Sequence, residues 1–187
     1  MLYLDSKQDS MKNADCSAKC TSPDVFETRL LRRFLYCNSL KFVLADNSAR
    51  HLSLREVNVL LSTPNILRLA VVDERDGLPI VHPVWYVYKD DMFLVATDRD
   101  GVKARSLRKN SNAYFLVDIE GRPPCGVRGK CTAKVIDDSA YATQITRENV
   151  LKYLGTVRTK TAKRILAMGP YSSVIEITPD YMATWKF

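Results

Sequence analysis

The sequence predicts an antiparallel β meander that closes toward a barrel, with helices on its flanks, and three observations carry that prediction. Three runs of β-branched and aromatic residues, Ile66 to Asp73, Leu78 to Tyr88 and Met92 to Thr97, are separated only by short Asp/Arg/Gly and Lys/Asp turns, the signature of consecutive hairpins. In the second run Leu78, Ile80, His82, Val84 and Tyr86 form one mostly apolar face, and Val81, Trp85 and Val87 form the other. That pattern reads as a strand covered on both sides and central to a barrel. After Thr97 the period changes: in DRDGVKARSLRKN, Asp100 is a candidate N-cap, Gly101 falls in the first turn, and Val102 and Leu107 stand among cations. This is a short basic helix, and Phe115, Leu116 and Val117 then resume a strand.

The remaining elements follow in order. Residues 1–21 mix Lys, Asp, Ser and Cys with few large apolar side chains and read as a disordered polar tail. Residues 22–51 read as an N-terminal helical extension: Ser22-Pro23 is a helix start, and Val25, Phe26, Leu30, Leu31, Phe34 and Leu35 follow at helical spacing. The main domain is read as residues 52–187. Ser53 with Glu56 forms a capping box for a helix that stops at Thr63-Pro64. After a strand over Asn112 to Ile119 comes the rigid GRPPC loop. Gly126 to Ile136 then alternates Val127, Gly129, Cys131, Ala133 and Val135 against Arg128, Lys130 and Lys134, a strand with one wet face. Asp138 to Leu154 and Thr159 to Ala167 carry helical spacing, and Gly169-Pro170 stops the second. Strands Ser172 to Thr178 and Met182 to Phe187 complete the fold around a Pro179-Asp180 turn.

Composition limits the function. With 187 residues and 46% hydrophobic side chains, one core is the default. No apolar run approaches the roughly 20 residues that span a bilayer, and MLYLDSKQDS lacks a signal-peptide pattern, so a cytoplasmic protein without a membrane segment is expected. Cys16, Cys20, Cys37, Cys125 and Cys131 include no CxxC pair, and with two histidines in the chain they read as reduced thiols without a metal. The net charge of +7 is dispersed except around Arg99 to Lys109, and no exposed aromatic-and-basic strand motif accompanies it, which makes nucleic acid an unlikely partner. The basic cluster reads as a solvated helix face, a phosphate site or a nucleic-acid patch, in that order before any family is considered.

Gly77, Pro79, Pro83, Trp85 and Tyr86, then Thr97, then Lys103, Arg105, Leu107 and Asn110 stand in the order of a GxPxxxPxWF strand, a strand ending in Thr and a K-x-R-x-L-x-x-N helix. In these residues, over about Leu52 to Phe187, the chain resembles the FMN-binding split β-barrels related to pyridoxamine 5'-phosphate oxidase. Gly129 in a V-x-G-x-A-like strand and the WKF ending are similar to that family as well. The resemblance implies a six-stranded antiparallel split barrel, a homodimer with cofactor clefts shared between subunits, and oxidoreductase chemistry on a small-molecule substrate.

The resemblance also implies a site. The cofactor phosphate would sit at Thr97, Gly101 and Lys103 at the helix start, with Arg105 or Arg99 compensating for Val102, which occupies the place of a second cation. The ring would lie against Val81, His82, Pro83, Val84, Trp85 and Tyr86. A lone histidine on an apolar strand reads as a structural residue before a proton donor, and Trp85, Tyr86 and Trp185 as core aromatics before stacking platforms. FMN is the expected cofactor. The alternatives are an F420-dependent reductase and a flavin- or haem-binding stress or sensor protein without turnover. No catalytic residue is assigned, since a flavin brings its own redox chemistry.

Overall fold

The computed structural model describes residues 40–45, 48–119, 121 and 123–187. The expected tail, the helix after Ser22-Pro23, and Cys16, Cys20 and Cys37 lie outside these residues. In chain order the elements are β1 (Lys41–Leu44), α1 (Leu54–Ser62), β2 (Leu67–Val72), β3 (Pro79–Val84), β4 (Val87–Lys89), β5 (Met92–Asp98), α2 (Val102–Lys109), β6 (Asn112–Ile119) and β7 (Cys125–Ile136). They continue with α3 (Ser139–Leu154), α4 (Lys160–Leu166), a 3-10 turn (Gly169–Tyr171), β8 (Ser172–Pro179) and β9 (Tyr181–Lys186).

The sheet runs β3-β2-β6-β7-β8-β5-β4. Its two ends, β3 and β4, are halves of one apolar run that breaks at Trp85 and Tyr86, so the sheet curls toward itself as a split barrel of six strands when the broken one is counted once. The break is held from outside the strand: the Tyr86 backbone N–H donates to the Tyr153 hydroxyl at 3.3 Å, and that hydroxyl donates to the Asn65 carbonyl at 2.6 Å. A backbone donor that would extend the ladder is satisfied by α3 instead.

The long strand β7 pairs with β6 along its length, and on its other side with β9 over Cys125–Arg128 and with β8 over Cys131–Ile136. Gly129 lies between those two pairings, where a Cβ would stand on the Tyr181 carbonyl oxygen and 3.0 Å from the Phe115 ring. Glycine is required here for close approach of backbone. The strand β1, which the sequence reading leaves inside the extension, adds to β9 in parallel, with Phe42 opposite Met182 and Leu44 opposite Thr184.

Two readings change. The strand β3 is an edge and not a central strand: among the described residues it pairs only with β2, and Val81 is 57% exposed. Pro79 and Pro83 lack the N–H groups that a second neighbour would need, so apolar residues on both faces here do not mean burial on both faces. The N-cap of α2 is Gly101 and not Asp100, because the Asp98 carboxylate accepts the Asp100 N–H at 3.1 Å and the Asp98 carbonyl accepts the Gly101 N–H at 3.3 Å. That turn takes Asp100 out of the capping position.

The local signals for the other helices match what forms. Ser53 and Glu56 make both halves of the capping box on α1; Asp138 accepts from the Ala140 and Tyr141 N–H groups at the start of α3, which ends on left-handed Gly155; and Thr159 caps α4. The barrel interior is built from Leu61, Leu67, Leu69, Val117, Ile175 and Ile177 around an aromatic group. In that group Phe93 meets Tyr86 edge-on at 5.3 Å and tilts against Phe115 at 4.9 Å between ring centres. A smaller core of Leu94, Ala142, Ile145 and Val174 fixes α3 to the sheet.

Candidate functional site

The β2–β3 hairpin tip and α2 fold onto each other. Asp73 accepts the Arg75 and Gly77 N–H groups and pairs with the Arg75 guanidinium, which holds its carboxyl down at about 2. Gly77 closes the turn at a positive φ of 77°. The next residue, Glu74, takes the Arg105 side chain in an ion pair at 2.5 Å, and its N–H donates to the Ser106 hydroxyl at 3.0 Å. Arg105 also donates to the Asp100 carbonyl. The guanidinium is therefore spent on tying helix to hairpin.

Lys103, the second residue of α2, is different. It is half-buried, burial lowers its pKa, and among the described residues it makes no hydrogen bond or ion pair. It lies close enough to His82 on β3 to depress the histidine's pKa, after the larger effect of burial, while Asp73 opposes both. His82 is thus neutral at neutral pH, and its buried Nε2 has no partner. Lys103 and the His82 Nε2 are thus two polar groups that no described residue engages.

Gly101 starts α2 beside Lys103, while the side chains of the other expected contacts face several surfaces. Val81 and Pro83 point to the opposite, outer face of the sheet, where Val81 lines a groove of about 610 Å³ with Arg68, Tyr114 and Arg128. Val84 and Tyr86 belong to the barrel core. Trp85 stacks flat on Tyr153, ring centres 4.7 Å apart, and shares a separate cavity with Thr97 and Asp98. Arg99, the other candidate to make up for Val102, donates to the Ser139 hydroxyl and lies 4.0 Å from Asp137.

Sequence reasoning passed over one face of α3. Asn149, Lys152 and Tyr153 reach the β3–β4 break, Lys152 through the Tyr86 ring and Tyr153 through Trp85. The available signal was their spacing, i, i+3 and i+4 on a helix otherwise read only for its apolar residues. Cys131 is buried with its thiol pushed up to about 12, and burial also raises the half-buried Cys125 thiol, so neither is an activated nucleophile. No group of metal ligands forms among the described residues.

A curled antiparallel barrel with a basic helix after its fifth strand defines a split-barrel protein. The family model described as pyridoxamine 5'-phosphate oxidase matches residues 53–186, and the chain belongs to that family. Solved structures share the fold at low identity. The conserved hypothetical protein Rv2991 from Mycobacterium tuberculosis superposes with a TM-score of 0.64 at 19% identity, over 75% of this chain and 88% of its own. An F420 reductase does so at 0.54 and 19%, over 67% and 94%. An FAD-binding protein from Mesorhizobium loti gives 0.56 and 20%, over 74% and 98%. A search of curated proteins found no match.

Proposed function

We propose that this protein is an FMN-binding oxidoreductase that acts on a small-molecule substrate as a cytoplasmic homodimer. The observation that carries the reading is Lys103: a half-buried ammonium without a counter-ion among the described residues, on the helix that the family motif marks for the phosphate. A phosphate there gains the free N–H groups at the start of α2, the Lys103 charge and, below the depressed pKa of His82, a second donor. Flavin supplies hydride or electron transfer when bound, and the chain's part is to bind, orient and shield it. Membership of the family supports this reading, as do fold neighbours named as an F420 reductase and an FAD-binding protein.

The homodimer is proposed from the outer groove. Val81 and Tyr114 are 57% and 56% exposed on a sheet face flanked by Arg68 and Arg128, and no helix among the described residues covers it. A second copy would cover this face and stand beside the edge strand β3.

Absorption of the purified protein, after mixing in turn with FMN, F420 and haem and removing free ligand, tests the cofactor. Retention of FMN in preference to the others is expected. Retention of F420 or haem alone, or of none, overturns the reading.

A further inference from the structure

Between β5 and the α3–α4 region lies a cavity of about 270 Å³, below the roughly 300–1,000 Å³ typical of drug-sized ligand sites. Its size suits a small molecule. Its polar lining comes from Thr97, Asp98, Thr146, Asn149 and Ser172, and no Lys, Arg or His lines it.

The hydrogen bonds around it leave acceptors. The Thr146 hydroxyl donates to the Ala142 carbonyl at 2.7 Å and the Ser172 hydroxyl to the Met168 carbonyl at 2.9 Å, so both oxygens have lone pairs left and no proton to offer. Asp98, exposed at the cavity mouth, is acceptor-only when ionised, and the Asp100 N–H is its one hydrogen-bond donor among the described residues. Asn149 is 4% exposed, and no described residue satisfies its Oδ1. The Thr97 hydroxyl and the Asn149 amide can also donate, but with one carboxylate, several acceptors and no cation in its lining the cavity favours a ligand that donates and carries positive charge. Trp85, Ile165 and Met168 add an apolar wall suited to a short hydrocarbon.

We propose that this cavity binds a small organic ammonium ion, with its charged head at Asp98 and a short aliphatic chain against Trp85 and Met168. Trp85 and Thr97, which the family resemblance gives to the cofactor, line this cavity, but Lys103 and His82 do not, so ammonium binding is measured separately from flavin binding.

The test titrates the full-length protein with n-butylammonium, n-butanol and n-butyrate, read by ligand-observed NMR and calorimetry. The expected result is saturable binding of n-butylammonium, weaker binding of n-butanol and none of n-butyrate. Asp98→Asn keeps the acceptor for the Asp100 N–H but removes the charge, and it should weaken n-butylammonium by about two- to fivefold, the worth of an exposed ion pair. Ala96→Leu, which fills the cavity, should abolish binding of n-butylammonium and n-butanol. Because Asp98 is exposed, its variant decides the question even where Ala96→Leu does not fold. Equal binding of n-butyrate, an unchanged affinity in Asp98→Asn, or no saturable n-butylammonium binding at about 10 mM, the weak end of specific recognition, overturns the proposal.

Discussion

Lys152 holds its ammonium 3.5 Å from the centre of the buried Tyr86 ring and donates to the Leu61 carbonyl at 2.7 Å. Burial outweighs both contacts and brings the lysine down to about 8. Between about 8 and the ordinary 10.5, the unfolded chain keeps this proton and the folded chain does not. The folded state therefore gains stability as pH rises through that window. The unfolding free energy of the wild type, measured by urea denaturation relative to Lys152→Met, should rise from pH 8 to pH 10. A flat or falling difference would show that the ammonium is not desolvated.

Gly129→Ala places a methyl on the Tyr181 carbonyl, a backbone atom that cannot swing away. The variant should lose about 1 to 3 kcal/mol or more of stability, the usual range for overpacking. Thermal unfolding checks this, and a melting temperature unchanged from wild type would mean that β7 and β9 separate more easily than their pairing suggests.

Tyr114→Glu sets a charge on the outer sheet face opposite Lys130 of β7, away from the core. If a second copy covers this face, the variant runs as a 21.2 kDa monomer in light scattering while the wild type runs at twice that mass. Two species of equal mass would remove the outer groove from the interface.

His82 is neutral near pH 7 because burial and Lys103 disfavour its charge. A bound phosphate favours the protonated ring, so FMN affinity in the wild type should rise relative to His82→Gln as pH falls from about 8 to about 5.5, across the histidine range. Taking the difference between the two proteins cancels protonation of the phosphate itself. Parallel pH profiles would place His82 outside the phosphate's reach.

What could be read from the sequence was mostly local. Ser53 and Glu56 are three residues apart and cap each other, and the Asp73–Gly77 turn is fixed by its own Asp and Gly, so both were visible in a short window. The order of the strands also followed from apolar runs and turns. The break at Trp85 and Tyr86 did not, because it is set by a hydroxyl 67 residues away on Tyr153. Nor did the edge position of β3, although Pro79 and Pro83 carried the signal and the two-sided apolar pattern overrode it. Lys103 was singled out from its motif, and no described residue pairs with it. That Arg105 was engaged by Glu74 was not legible, because the pairing exists only once the hairpin tip folds onto α2.

The central claim is that Lys103 holds the cofactor's phosphate, and calorimetric titration of wild type and Lys103→Ala with FMN and with riboflavin tests it most directly. A charge-assisted hydrogen bond contributes about 1.5 to 3 kcal/mol, so Lys103→Ala should weaken FMN roughly 10- to 100-fold. Riboflavin, which lacks the phosphate, should bind both proteins alike. Equal weakening of the two ligands, or no weakening of FMN, would contradict the assignment and leave Lys103 as a support of the fold or the ring.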